Sequence, residues 1–243
     1  MEDELLCLVD VGGAGGLQER WRPHAQALRL VMVEPDAHQA AQLRDMLARD
    51  VPEAVVLETG LADTAGPRTL NLARFWGCTS MREPDMALLR RWRIAPLFEV
   101  ERRVEVGCVR YDALHAAGAA PAPDVIKADV QGFEREVLRG FGTLLDDVLA
   151  VEIESHLYPI YQGQALMGEM VELLAGHGLL LRAARPVGNF DGDLVEMDLV
   201  FTRPRAAAMA LGPARRRKFA LACAVLGVSD YASIDPAGPH WQG

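Results

Sequence analysis

Short apolar runs alternate with amphipathic stretches along most of this 243-residue chain, and that rhythm admits few folds. The runs are Leu5 to Val11, Leu30 to Val33, Ala54 to Leu57, Val125-Ile126 with Ala128 and Val130, and Val148 to Ile153. Each is bounded by turn residues and apolar on both faces, as parallel strands buried beneath helices are. Between them the spacing predicts helices over Ala37 to Arg49, Phe133 to Arg139 and Gln164 to His177. Asp36 is placed to cap the first helix, and Gly140 and Gly178 to stop the other two. Alternating β and α elements imply an open, right-handed, doubly wound α/β sheet.

Two regions break the rhythm. Residues 59–96 hold no clean period before Met86 to Trp92, and a segment of that length between core strands is expected to be a lid or binding loop. From Arg205 onward, Ala206 to Leu211 and then Arg215 to Leu226 read as a helical C-terminal extension, with a Pro- and Gly-rich tail over Asp235 to Gly243. The expected division is a main domain over 1–204 and the extension over 205–243.

Composition narrows the setting. Lys+Arg 25 against Asp+Glu 34 gives a net charge of −9, against the basic footprint of a dedicated nucleic-acid binder. Cys7, Cys78, Cys108 and Cys223 form no C-x-x-C pair, which fits a reducing compartment better than a disulfide scaffold. The acidic N-terminus is unlike a signal peptide, and Phe219 to Val228 is too short to span a bilayer. The expectation is a cytoplasmic protein without a transmembrane segment.

Ligands of an open α/β sheet bind beyond the carboxyl ends of its strands. The first strand ends in Asp10-Val11-Gly12-Gly13-Ala14-Gly15-Gly16, and the second ends in Glu34, 34 − 12 = 22 residues beyond Gly12. Glycines let the backbone approach a ligand, and a carboxylate at Glu34 can accept both ribose hydroxyls. A dinucleotide fingerprint needs a third glycine, which falls on Gln18 or Leu17 in the two available registers. Asp10 at the loop entrance repels phosphate but suits the ammonium of an amino-acid moiety. Together these point to S-adenosylmethionine (SAM).

Asp124 to Gly140 carries Lys127, Asp129, Gly132, Glu134, Leu138 and Gly140 in the pattern K-x-D-x-x-G-x-E-x-x-x-L-x-G. With the Asp10–Gly16 loop, Val33-Glu34-Pro35 and Val151 to Glu154, this closely resembles the FkbM family of SAM-dependent methyltransferases. Leu61-Ala62-Asp63, Gly77-Cys78-Thr79-Ser80 and Tyr161 to Gln164 support the resemblance, which covers residues 5 to about 202. Gly13-Ala14 departs from it, standing where the family usually has Ala-Asn.

The resemblance implies a class I Rossmann-like methyltransferase fold, whose seven-stranded, mostly parallel sheet ends in an antiparallel strand near Leu194 to Thr202. It implies that Asp10, Gly12, Gly13, Ala14 and Gly16 frame the methionine part of SAM. Glu34 would hold the ribose, and Leu61, Ala62 and Asp63 the adenine, with Asp129 beside the sulfonium. The expected reaction is O-methylation of a sugar on a glycan or secondary-metabolite scaffold, leaving S-adenosylhomocysteine. An alcohol must lose its proton on the way. Asp129 and His156 are the candidate bases, with Lys127 and Glu152 in support. Glu152 is preferred over Glu154, the two being expected to face different spaces. Trp76, Thr79, Ser80 and Glu134 are candidate acceptor contacts, and Arg90, Arg91 and Arg93 are expected to overlie them.

No spacing demands a metal, although Asp129, Glu152 and His156 are suitable donors; no metal ligand is assigned. The C-terminal helices are a candidate homodimer surface. The competing readings are an NAD(P)-binding oxidoreductase and a non-catalytic SAM-binding or interaction module.

Overall fold

The structure is a computed structural model that describes residues 4–13 and 15–232. Ala14 and the 235–243 tail of the sequence reading lie outside the described residues. The strands are β1 Leu6–Val11, β2 Leu28–Val33, β3 Glu53–Leu57, β4 Gly60–Leu61, β5 Gly66–Ala73, β6 Val100–Val109, β7 Val125–Ala128, β8 Ala150–His156, β9 Leu180–Val187 and β10 Glu196–Thr202. The helices are α1 Ala37–Asp50, α2 Met86–Leu89, α3 Tyr111–Ala116, α4 Glu134–Arg139, α5 Met167–Gly176, α6 Arg205–Ala210 and α7 Pro213–Val225.

Seven strands form one sheet in the order β3-β2-β1-β7-β8-β10-β9. Pairing is parallel from β3 through β8, and β10 runs antiparallel to both β8 and β9. This is the class I methyltransferase arrangement expected above. The chain winds outward from β1 to β3 and returns to β7 on the other side of β1, so the switch point lies between β1 and β7. A ligand crevice belongs at their carboxyl ends.

Alternation along the strands sorts the core into two layers. Cys7, Val9 and Val11 of β1 and Ile126 and Ala128 of β7 join a layer with Val137, Leu138 and Phe141. Leu6, Leu8 and Val125 face the opposite layer with Trp21, Leu43 and Leu47. α1 presents Ala40, Leu43 and Leu47 to the sheet and is capped by Asp36, whose carboxylate accepts the Gln39 N–H at 2.9 Å.

α7 is part of the second layer. Ala222 and Leu226 pack with Leu6, Leu8 and Val125, while Phe219 and Cys223 pack with Leu149 and Ala208. Its basic run is tied to the sheet as well. Lys218 pairs with Asp124 at 2.8 Å, and Arg215 pairs with Asp147 at 3.6 Å. The apolar face of α7 thus covers its own sheet.

The segment expected to be a lid or binding loop carries two short strands, β4 and β5, that join β6 in a second sheet over the cleft. β4, β6 and β5 pair in that order, with β5 and β6 antiparallel. Beyond it, α2 starts at Asp85, whose carboxylate accepts the Ala87 and Leu88 N–H groups at 3.0 Å each. Trp92 Nε1 donates to Asp193 at 2.8 Å, pinning this segment to the β9–β10 turn. Trp92, Phe98, Phe190 and Tyr161 form an aromatic cluster beneath it.

Candidate active site

A cleft of about 940 Å³ opens at the switch point and runs beneath the second sheet. Gly12, Glu34 and Leu61 line one end; Trp76, Thr79, Ser80, Glu154 and Glu196 line the other; Asp129 lies between them. Gly12 sits at φ 82°, and a Cβ there would overlap the Asp129 carbonyl oxygen. The β1 and β7 turns therefore touch through a glycine that no other residue replaces without strain.

Glu34 directly follows β2, with 7% of its surface exposed. Its Oε1 accepts the Asp36 N–H at 2.8 Å, and burial raises its pKa. A buried carboxylate at the lip of the cleft fits a diol that donates two hydrogen bonds, so this end fits the ribose of SAM. Leu61 lines the same end, and Ala62 is buried behind it.

Several other expected residues lie off the cleft wall. Asp10 is buried beneath the loop, 3.4 Å from Lys127 Nζ. Gly13 packs tightly, its missing Cβ facing Met32 and the Asp10 carboxyl, whereas Gly16, at φ 79°, faces Met46. Asp63 does not line the cleft. Its carboxylate accepts from Arg68 at 3.1 Å in a neighbouring polar recess shared with Glu136 and Phe133.

Asp10, Lys127 and Glu152 stand side by side in the register of β1, β7 and β8. Lys127 pairs with Asp10 and, at 3.6 Å, with Asp129, while Glu152 is tied to Arg20. Burial alone would lower the Lys127 pKa, but Asp10, Asp129 and Glu152 outweigh it and hold the ammonium charged. Burial raises Asp10 and Glu152 against the pull of these cations.

β8 extends to His156, so Glu152, Glu154 and His156 share one face of a strand. The expectation that Glu152 and Glu154 face different spaces is corrected, since residues two apart point the same way. His156 is the fully buried last residue of the strand rather than a residue beyond its end. Glu154 lines the cleft, whereas Glu152 and His156 lie behind its wall.

Gln131 connects these groups and was missed in the sequence. It holds φ 55° at the turn after β7. Its Nε2 donates to Asp129 at 3.2 Å and to Glu154, and its Oε1 accepts from the Tyr161 hydroxyl at 2.8 Å. A polar non-glycine residue in the left-handed region beside a carboxylate is a mark of a functional turn, although φ is not visible in sequence. Ser80 Oγ donates to the Gln131 carbonyl at 2.6 Å and accepts the Arg82 N–H, so this hydroxyl holds the turn. Glu134 has a similar task, accepting the Val130 and Gly132 N–H groups at 2.9 and 3.2 Å. Burial pushes its carboxyl up to about 7.

Burial, then Asp129 and Glu196, push the Glu154 carboxyl well up. Trp76 stands 60% exposed at the cleft mouth, stacked at a tilt on Phe75. Arg90, Arg91 and Arg93 do not line the cleft, and Arg93 pairs with Asp191 at 2.7 Å instead. The arginine that does line it is Arg102 of β6.

The Methyltransferase FkbM domain family matches residues 20–181. No curated protein matches the chain. Among solved structures, magnesium protoporphyrin IX methyltransferase from Synechocystis PCC 6803 with bound SAM is similar, at 11% identity and TM-score 0.43, over 83% of this chain and 72% of that one. A precorrin-6y C5,15-methyltransferase from Geobacter metallireducens is similar at 12% identity and TM-score 0.39, over 82% and 81%. A 1,6-didemethyltoxoflavin-N1-methyltransferase from Burkholderia thailandensis is similar at 10% identity and TM-score 0.37, over 82% and 72%. The domain match spans β2, β3, β7 and β8 and the turn after β7 that bears Asp129: the chain belongs to the FkbM family of SAM-dependent methyltransferases.

Proposed function

We propose that this methyltransferase acts on a hydroxyl oxygen, on a sugar of a glycan or of a secondary-metabolite scaffold. The observation that carries this reading is the position of Asp129 at the junction of the two cleft ends. On one side stand Gly12 and Glu34; on the other are Thr79, Glu154 and Glu196 beneath an exposed Trp76. Carboxylates accept hydrogen bonds from hydroxyls, and an aromatic face covers a sugar ring, so this end suits a polyhydroxylated acceptor. Arg102 would meet an acidic substituent on that acceptor.

Bound SAM supplies an electrophilic methyl group on a sulfonium. The chain's part is to hold donor and acceptor in line and to take a proton. The Asp129 carboxylate, 38% exposed and held by Lys127 and Gln131, takes the hydroxyl proton in this reading. Lys127 and Gln131 are positioning residues. Behind the wall, Glu152 anchors Arg20, and the Asp10 carboxylate holds Lys127 in place.

Asp129→Asn keeps the shape of the side chain and removes the base. Turnover on a hydroxyl acceptor is expected to fall by roughly 100-fold or more, the scale of general-base catalysis. The S-adenosylhomocysteine dissociation constant is expected to stay within about threefold of the parent's. Unchanged turnover would remove Asp129 from this role.

A further inference from the structure

Three side chains from two strands converge on the floor of the acceptor end. β8 supplies Glu154 and His156, and β10 supplies Glu196, directly opposite His156 in the antiparallel register. One donor atom from each lies within 4.8 Å of the others. His156 Nε2 is 3.4 Å from Glu196 Oε1 and 3.8 Å from Glu154 Oε1. Donors about 2.1 Å from one shared ion stand roughly 3 to 4.2 Å apart, and both imidazole–carboxylate separations already fall in that range.

The imidazole carries the argument. His156 is 0% exposed, yet neither ring nitrogen has a hydrogen-bond partner among the described residues. Buried polar groups are nearly always satisfied, and an orphaned one needs a reason such as a missing ion. Tyr161 packs edge-on against the ring with centroids 6.0 Å apart, beside the two carboxylates. Gln131 orients Glu154, as outer partners orient the ligands of metal sites. At Gly188 a side chain would collide with the Glu196 carboxyl, so a glycine there leaves that carboxyl its place.

Charge points the same way. Asp129 and Asp198 add acidic groups near Glu154 and Glu196, Asp129 partly offset by Lys127 and Asp198 by Arg185, while Arg20 is held by Glu152.

We propose that Glu154, His156 and Glu196 bind one divalent transition-metal cation, Mn²⁺ or Zn²⁺, at the floor of the acceptor end of the cleft. Two carboxylates with one imidazole suit such an ion better than Mg²⁺ or Ca²⁺, which favour all-oxygen sets. Three protein ligands leave further coordination positions, as in open metal sites. Since Glu154 and Glu196 line the cleft, those positions face the acceptor, where they would hold water or a hydroxyl oxygen. The binding site stands on the side chains alone; its use on a hydroxyl rests on the function proposed above.

The test is calorimetric titration of full-length, chelator-treated protein with MnCl₂, ZnCl₂ and MgCl₂. Glu154→Gln and Glu196→Gln are titrated alongside, being of the same shape and less disruptive than removing the buried His156. Circular dichroism confirms the fold, and S-adenosylhomocysteine affinity is measured on the same samples. One equivalent of Mn²⁺ or Zn²⁺ is expected to bind more tightly than Mg²⁺. Each variant is expected to weaken it at least about tenfold, with S-adenosylhomocysteine bound as in the parent. Absence of one-equivalent binding, or equal affinity in both variants, overturns the site. Failure of the parent to bind S-adenosylhomocysteine bears on the cofactor instead, and leaves the metal result to be read independently.

Discussion

Glu134 caps the turn after Asp129 from within the protein, where one oxygen accepts two backbone N–H groups. Burial holds its pKa at about 7 against an ordinary 4.5, so the native state binds this proton more tightly than the unfolded chain does. Its contribution to stability is therefore fully present below pH 4.5 and lost as pH rises through about 7. That gap corresponds to about 3 kcal/mol. Between pH 5 and 8 the urea midpoint of the parent is expected to fall, and Glu134→Gln, whose amide oxygen keeps both contacts, is expected to flatten that slope. An unchanged slope in the variant would place the titration elsewhere. At the same scale, the roles of the K-x-D-x-x-G-x-E residues divide between structure and surface: Lys127 and Glu134 support the turn, and Asp129 faces the cleft.

At the scale of elements, the junction of the β1 and β7 turns shapes the proposed cofactor end. Gly12→Ala must place a Cβ against the Asp129 carbonyl while holding φ 82°. Isothermal titration is expected to show S-adenosylhomocysteine affinity reduced by roughly tenfold or more, since positive φ alone costs about 1–2 kcal/mol for a non-glycine residue. Retained affinity would show that the two turns can part without consequence. β1, α1 and the turn into α4 were legible because their signals are local: unbroken apolar runs, an Asp cap and a stop glycine. β5 and β6 were not. β5 opens Gly-Pro-Arg-Thr, which reads as a turn, and β6 alternates valine with charge because one of its faces meets solvent. Glu154-Ser155-His156 hid the end of β8, as polar residues there serve the site rather than the core. Gln131 and Glu196 could not be found by spacing, since Tyr161 and His156 reach them only through the tertiary fold.

For the whole molecule, the C-terminal helices are a layer of the core. Phe219 is 1% exposed against Leu149, Ala208 and Cys223, and Lys218 locks α7 to Asp124. Phe219→Ala is expected to cost about 3–5 kcal/mol in denaturant unfolding, a large part of a total of about 5–15. A loss below about 1 kcal/mol would mean that α7 folds apart from the sheet. No helix among the described residues is long and apolar enough to cross a membrane. In the function proposed here, one cleft has a SAM end and an acceptor end joined at Asp129. The most direct test of that account is calorimetric titration of the parent and Glu34→Ala with S-adenosylhomocysteine, NAD and NADP. The account expects the parent to bind S-adenosylhomocysteine alone, and the variant to bind it roughly 10- to 100-fold more weakly, the worth of charge-assisted hydrogen bonds. Binding of a nicotinamide nucleotide, or equal affinity in the two proteins, would contradict it.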